Sequence, residues 1–165
     1  MLDAANRIAT LARVHDQLYL DPGARDLSLR DYVAGLAADL AQALNVRVST
    51  HDRLDEGHRV SPGQAAAIGQ ILAELIGNAA KHGHPGHHPS MELTLEQQGR
   101  QLRLSLVDDG PGQPEGFDPD HSSGLGMQIC LIYARQMDGR LDHGAGPEGG
   151  ARFDVTLRLD DGIAA

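Results

Sequence analysis

Glu74-Leu75-Ile76-Gly77-Asn78-Ala79-Ala80-Lys81-His82-Gly83 closes an apolar run and carries polar side chains along one edge of it. Asn78 follows Glu74 by four residues, and Lys81 and His82 follow Asn78 by three and four. On a helix these side chains share one side. The residues behind them, Ile68, Ile71, Leu72, Leu75 and Ile76, recur at helical spacing. Ser61-Pro62 opens the helix with proline at its first position, and Gln64 completes a Ser-x-x-Gln capping box. The helix is expected to end near Gly83. A carboxylate, an amide, an ammonium and an imidazole along one edge suit a charged ligand. An amide oxygen suits a hard cation such as Mg²⁺, and a lysine suits phosphate. Taken alone, the same edge reads as a solvated helix face.

Two further constellations follow in the chain. Met91, Leu93 and Leu95 alternate with polar residues, as do Leu102, Leu104 and Leu106, with Gly99 between the sets. This predicts a β-hairpin. The second strand runs into Asp108-Asp109-Gly110-Pro111-Gly112. Such a strand end brings a carboxylate to the floor of a pocket and lets backbone approach a ligand closely. Asp108 is suited to accept a hydrogen bond from an exocyclic amine such as that of adenine. Alone, the same residues read as a tight turn. Ser122-Ser123-Gly124-Leu125-Gly126-Met127 then opens a helix expected over 125–137. The amides and dipole of a helix N-terminus favour phosphate, although a Ser/Gly helix cap reads the same way.

At the N-terminal end, Ile8, Leu11, Ala12, His15, Leu18 and Tyr19 form one helical stripe, stopped by Asp21-Pro22-Gly23. Ser28 and Asp31 resemble a capping box for a second helix, whose apolar face is Val33, Leu36, Ala37, Leu40 and Leu44. These helices make an αα-hairpin over 1–44, expected to pack on a second copy as half of a four-helix bundle. Residues 45–165 form the second unit. Val46, Val48 and Thr50 suggest a short strand, Leu141 starts another, and Phe153, Val155, Leu157 and Leu159 a closing one. The expected class is α+β, a two-layer α/β sandwich preceded by the helical hairpin.

Composition narrows the function. With 165 residues the chain has room for one well-cored domain and a short appendage. Aromatics are 3% and tryptophan is absent, so Leu, Ile, Val and Ala must build the core. A net charge of −9 and the lack of basic runs argue against a general nucleic-acid partner. A single nucleotide can still bind if amides and a metal ion hold its phosphates. The lone Cys130 sits in an apolar pattern and reads as a buried small hydrophobe. No signal peptide or membrane span is visible, so this segment is expected to be cytoplasmic, without membrane contact. His84, His87 and His88 read as solvated loop histidines.

The order of the three constellations resembles the GHKL ATPases: gyrase, heat-shock chaperones, histidine kinases and mismatch-repair proteins. Their N box corresponds to Glu74–Gly83, and their glycine boxes to Asp108–Gly112 and Gly124–Gly126. Gly149-Gly150-Ala151-Arg152-Phe153 looks like the turn before their last strand. The resemblance covers roughly residues 45–159 and implies their Bergerat-type sandwich. Asn6-Arg7-Ile8-Ala9, Val14-His15-Asp16-Gln17-Leu18-Tyr19 and Asp31-Tyr32 look like dimerisation helices of the HWE-like branch of sensor histidine kinases. That branch carries its phosphoacceptor in a His-Arg-x-x-Asn motif on a preceding helix. No such motif occurs here, and His15, on the apolar stripe, reads as a packing residue.

The resemblance implies ATP and Mg²⁺ as cofactors and transfer of the γ-phosphoryl group to a histidine. Asp108 would fix adenine, Asn78 would hold Mg²⁺, and Lys81 and His82 would touch phosphates. Gly110 and Gly112 would belong to the nucleotide pocket, with Ser123, Gly124, Leu125 and Gly126 at the phosphates. Glu74 would accept the proton of the attacking group, making Glu74 and Lys81 the catalytic pair. Residues 113–123 would be the ATP lid, poor in core-anchoring side chains and poorly ordered without nucleotide. Implied partners are a response regulator and a second copy, joined through the N-terminal helices as a homodimer. The rivals are an anti-sigma-type serine kinase, and a non-catalytic phosphotransfer or adaptor protein on a kinase scaffold.

Overall fold

A computed structural model of the chain describes residues 26–84, 86–121 and 124–160, with Ala12 ahead of them. Apart from Ala12, the first helical stripe lies outside those residues, His15 included. In chain order come β1 (Leu27–Ser28), α1 (Leu29–Leu44), β2 (Arg47–Arg53), β3 (Arg59–Val60), α2 (Pro62–Lys81), β4 (Ser90–Gln98) and β5 (Gln101–Asp108). A 3-10 turn (Pro119–His121), α3 (Leu125–Gln136), β6 (Arg140–Ala145) and β7 (Ala151–Arg158) complete it.

Five strands make one sheet in the order β2-β4-β5-β7-β6. β2 runs parallel to β4, with Val48 opposite Met91, and the other neighbours are antiparallel. A parallel pair needs a crossover, and α2 supplies it. Along β4 and β5, Met91, Leu93, Leu95, Leu102, Leu104 and Leu106 are buried, whereas Glu92, Arg103 and Gln98 are exposed. The period of two thus gives the sheet one wet face and one face covered by helices, the expected two-layer arrangement.

The capping predictions hold in geometry. Ser28 Oγ accepts from Asp31 N and Ser61 Oγ from Gln64 N, each at 3.3 Å. Pro62 stands at the first position of α2, whose helical span ends at Lys81 with His82 as its C-cap.

The expectation that the second helix presents its stripe to another chain is corrected here. Leu29, Val33, Leu36 and Leu40 of α1 are fully buried and share one core cluster with Ile68, Ile71, Leu75 and the sheet leucines. The helix therefore works as part of the layer on the sheet. The stripe read correctly as an apolar face, but periodicity does not say what covers it. Burying side chains of this size contributes about 1.5–3 kcal/mol each, so the domain keeps this face for itself. Tyr32, on the same helix, is buried as well, and that burial raises its phenol pKa.

Leu36→Ala is expected to lower the unfolding free energy by about 2–5 kcal/mol. A urea titration should show the same loss at low and high protein concentration. A loss that shrinks as concentration rises would show that α1 pairs between chains.

Candidate functional site

The last turns of α2 bring Asn78, Lys81 and His82 to one wall of a cavity of about 590 Å³. Asn78 is half-buried, and Lys81 and His82 are exposed. The spacing that placed them on one helix edge is borne out. Glu74, one turn earlier, departs from expectation, because it is not among the residues lining the cavity. It is half-buried, and its negative charge acts on Cys130. Burial, then Glu74, pushes the Cys130 thiol up to about 12. Cys130 is buried and free, and its thiol donates weakly to Ile71 O at 3.9 Å.

The opposite wall is built around Asp108 at the end of β5. Its Oδ1 accepts from Gly110 N at 2.9 Å and from Ala151 N at 3.0 Å. Among the described residues no donor bonds Oδ2. The neighbouring Asp109 does different work: it exchanges two bonds with Ser90, Oδ1 accepting at 3.0 Å and its own N donating to Ser90 O at 3.1 Å. One acidic residue thus closes the strand ladder while the other faces the cavity.

Glycine is required where two loops meet here. A Cβ on Gly150 would lie 1.8 Å from Asp108 O, so the turn before β7 can press backbone to backbone on the carboxylate's own strand. Gly112 has φ +85°, and a Cβ on it would meet Gly149 O at 2.8 Å. Gly112 lines the cavity as expected, but Gly110 does not. Gly110 is buried beneath the loop, where a Cβ would approach His82 O at 3.0 Å. Its place is a packing position that joins the loop to the end of α2.

The third wall is the start of α3. Gly124 is its N-cap, and Gly124, Leu125, Gly126 and Met127 all line the cavity. The first amides of a helix have no carbonyl partner within it and carry the positive end of the dipole. Ser123 lies outside the described residues.

The described part of the loop between Gly112 and α3 is more firmly seated than its Gly- and Pro-rich sequence suggests. Phe117 packs edge-on against His143 at 5.3 Å and against Phe153 at 6.2 Å. Pro119 is buried, and Arg135 bonds Asp120 at 3.0 Å. These contacts correct the expectation of a loop poor in anchors. Sequence reasoning passed over Phe117, whose one available signal is an aromatic standing among glycines and prolines. Gln113, Pro114, Met127, Ala151 and Phe153 also line the cavity, and sequence reasoning gave none of them a ligand role. His84, His87 and His88 are exposed and lie outside the wall.

The volume lies within the range of small-molecule sites. One side offers a pinned carboxylate beside backbone that glycines leave bare. The other offers helix-start amides, a lysine, an imidazole and an amide oxygen. The donor set fits a nucleotide. The amide oxygen of Asn78 is of the type that suits a hard cation. No helix of the described residues is long and apolar enough to cross a membrane.

Residues 63–161 match the family model for histidine kinase-, DNA gyrase B- and HSP90-like ATPases, and residues 1–44 match a histidine kinase model. The sensor histidine kinase PdtaS of Mycobacterium tuberculosis is 27% identical over 166 residues, covering 98% of this chain and 32% of that protein. The C4-dicarboxylate transport sensor protein DctS of Rhodobacter capsulatus is 30% identical over 145 residues, covering 73% of this chain and 22% of that protein. The chain therefore spans about a third or less of the length of these relatives. Among solved structures, the histidine kinase domain of the Erythrobacter litoralis EL346 blue-light activated kinase superposes with a TM-score of 0.77. It is 21% identical and covers 92% of this chain and 74% of that one. The catalytic domain of histidine kinase ThkA gives 0.64 at 21% identity, covering 81% and 94%.

A salt link at the lid tip yields a pH prediction. His121 Nδ1 lies 2.6 Å from Asp118 Oδ2. This hydrogen bond is the main cause that lowers the Asp118 carboxyl below its ordinary value and raises His121 above its own. The link is complete between those two values. It is lost as pH falls through the lowered Asp118 pKa or rises through the raised His121 pKa. Proton NMR of the His121 ring should show titration above the ordinary histidine value, returning toward it in Asp118→Asn. Ordinary titration in both proteins would show that the pair does not form in solution.

Proposed function

This chain belongs to the family of histidine kinase-, DNA gyrase B- and HSP90-like ATPases, and from that premise we propose that it is the ATP-binding catalytic part of a sensor histidine kinase. Its reaction is transfer of the γ-phosphoryl group of ATP to a histidine. The observation that carries this reading is the cavity that unites Asp108, Asn78, Lys81, His82 and the start of α3. Residues 1–44 would supply helices for dimerisation and phosphotransfer, while α1 also packs on the catalytic sheet. A cytoplasmic setting, a homodimer and a response regulator as downstream partner belong to the same proposal.

In this mechanism Asp108 Oδ2 accepts from the adenine amine while Oδ1 stays tied to backbone. The first amides of α3 and the Lys81 ammonium neutralise phosphate charge. Asn78 is the proposed ligand of Mg²⁺, which when bound supplies further neutralisation of the phosphates. Catalysis of this kind rests on positioning and electrostatics more than on covalent chemistry. Glu74 is the proposed proton acceptor for the attacking group.

One observation favours a second reading. Glu74 stands outside the cavity wall, as it would in a scaffold that binds nucleotide without transferring phosphate. The match of residues 1–44 to a histidine kinase model favours transfer, and weighs against a serine kinase of the anti-sigma type.

The test uses γ-labelled ATP. The chain alone is expected to label weakly, and a protein carrying a His-Arg-x-x-Asn acceptor helix should gain acid-labile label in its presence. Asn78→Ala should eliminate that transfer. Strong labelling of the chain alone, lost in His15→Ala, would instead make His15 the acceptor.

Glu74→Gln separates the two readings. It is expected to leave ATP affinity within about twofold and to slow transfer by about 10²-fold or more. Transfer at the wild-type rate would remove Glu74 from the chemistry, and a loss of ATP affinity would place it at the ligand instead.

A further inference from the structure

Gln113 follows Gly112 directly and lines the cavity. Its amide is half satisfied. The carbonyl Oε1 accepts from His143 Nδ1 at 2.9 Å, whereas Nε2 is buried with no hydrogen-bond partner among the described residues. A buried donor without a partner is costly, and an amide nitrogen has two protons to give. One atom of this amide is gripped by the protein, and the other is left without a partner on a residue that lines the cavity.

The grip is itself built. His143 lies on β6 at the sheet edge, and Phe117 of the lid packs edge-on against its ring, with an interplanar angle of 85°. Phe117 rests in turn on Phe153 of β7. Two residues before Phe153 on the same strand, Ala151 donates to Asp108 Oδ1. Gln113, Phe117, Phe153 and Asp108 thus line the cavity from the sheet and the loop, with His143 behind Gln113 and Phe117. Asn78 and Lys81 belong to α2, and Gly126 to α3, on the helix side.

We propose that Gln113 is a second nucleoside-reading residue beside Asp108, donating from Nε2 to an acceptor on the base or ribose, and that His143 is the positioning residue that orients it. The inference rests on the ATP-binding reading above and deepens it. Gln113 is assigned to the nucleoside half of the ligand because it follows Gly112 on the loop that leaves Asp108, whereas Asn78, Lys81 and Gly126 lie on α2 and α3. The lid's aromatic contact then has a second consequence: displacing Phe117 frees His143 and loosens a contact to the ligand.

The test is calorimetric titration of the whole chain with ATP and with AMP, which share the nucleoside but not the terminal phosphates. Wild type should bind ATP, and Asp108→Ala should bind it about tenfold or more weakly; if wild type binds neither ligand, the parent reading falls and this one with it. Gln113→Leu, similar in size and without donors, should weaken ATP and AMP by the same factor, about tenfold. His143→Ala should weaken both several-fold, and His143→Asn should recover most of that, because its amide nitrogen takes the place of Nδ1. The double variant Gln113→Leu/His143→Ala should bind no more weakly than Gln113→Leu alone, since the two act through one contact. Wild-type affinity in Gln113→Leu, with wild-type ATP binding intact and Asp108→Ala impaired, would overturn this proposal and leave the parent reading standing. A loss confined to ATP would overturn it too, by assigning Gln113 to the terminal phosphates. Additive losses in the double variant would remove His143 from the positioning role.

Discussion

A half-buried carboxylate at the end of β5 receives two backbone amides on one of its oxygens, from Gly110 and from Ala151. Those two bonds tie the end of one strand, the loop that follows it and the start of β7 into one rigid corner. The corner closes only because Gly150 carries no side chain against Asp108 O and Gly112 none against Gly149 O. Hydrogen bonds to a carboxylate are among the stronger ones available to a protein. They also fix which oxygen faces outward. The cavity's specificity follows from this: Oδ1 belongs to the fold, and Oδ2 is available to a ligand.

The rest of the structure holds the other walls in register with that corner. α2 crosses the sheet between the parallel strands β2 and β4, and so delivers Asn78, Lys81 and His82 opposite Asp108. α1 is buried beside it, so the back of α2 is held by apolar packing and not by the solvent. Cys130 of α3, fully buried, bonds Ile71 O of α2, so the two helices that line the cavity are packed on each other. Phe117 seats the loop after Gly112 on β6 and on β7, the second of which pairs with the carboxylate's own strand. The site is therefore a meeting of sheet, helices and loop, each fixed by its own core contacts.

Much of this was legible in the sequence because it is local. The alternation of Met91, Leu93 and Leu95, the caps at Ser28 and Ser61, and the edge of α2 all follow from spacing within one element. What was not legible depends on contacts between distant residues. The parallel pairing of β2 with β4 requires knowing where α2 returns the chain. β3 is two residues long, too short to carry a period. The stripe of α1 was visible, but its partner was not, and the structure gives it to the core. Gly110 looked like a ligand glycine because it sits in the Asp-x-Gly-x-Gly motif, yet its closest constraint is His82 O. Glu74 shares an edge with Asn78 by spacing, but one turn along a helix moves it past the rim of the cavity. Gln113 and His143 come together from loop and strand, a pairing no periodicity reports.

The central claim is that Asp108 reads the exocyclic amine of adenine with the oxygen its backbone bonds leave outward. It is tested most directly by comparing ATP with inosine triphosphate, whose base carries an oxygen in place of that amine. Calorimetry on the wild-type chain should show ATP bound at least about tenfold more tightly, because a carboxylate facing a carbonyl oxygen has no proton to accept. In Asp108→Ala the difference between the two nucleotides should disappear. Equal binding of both by the wild-type chain would contradict the account, because the carboxylate would then be holding the fold together without reading the base.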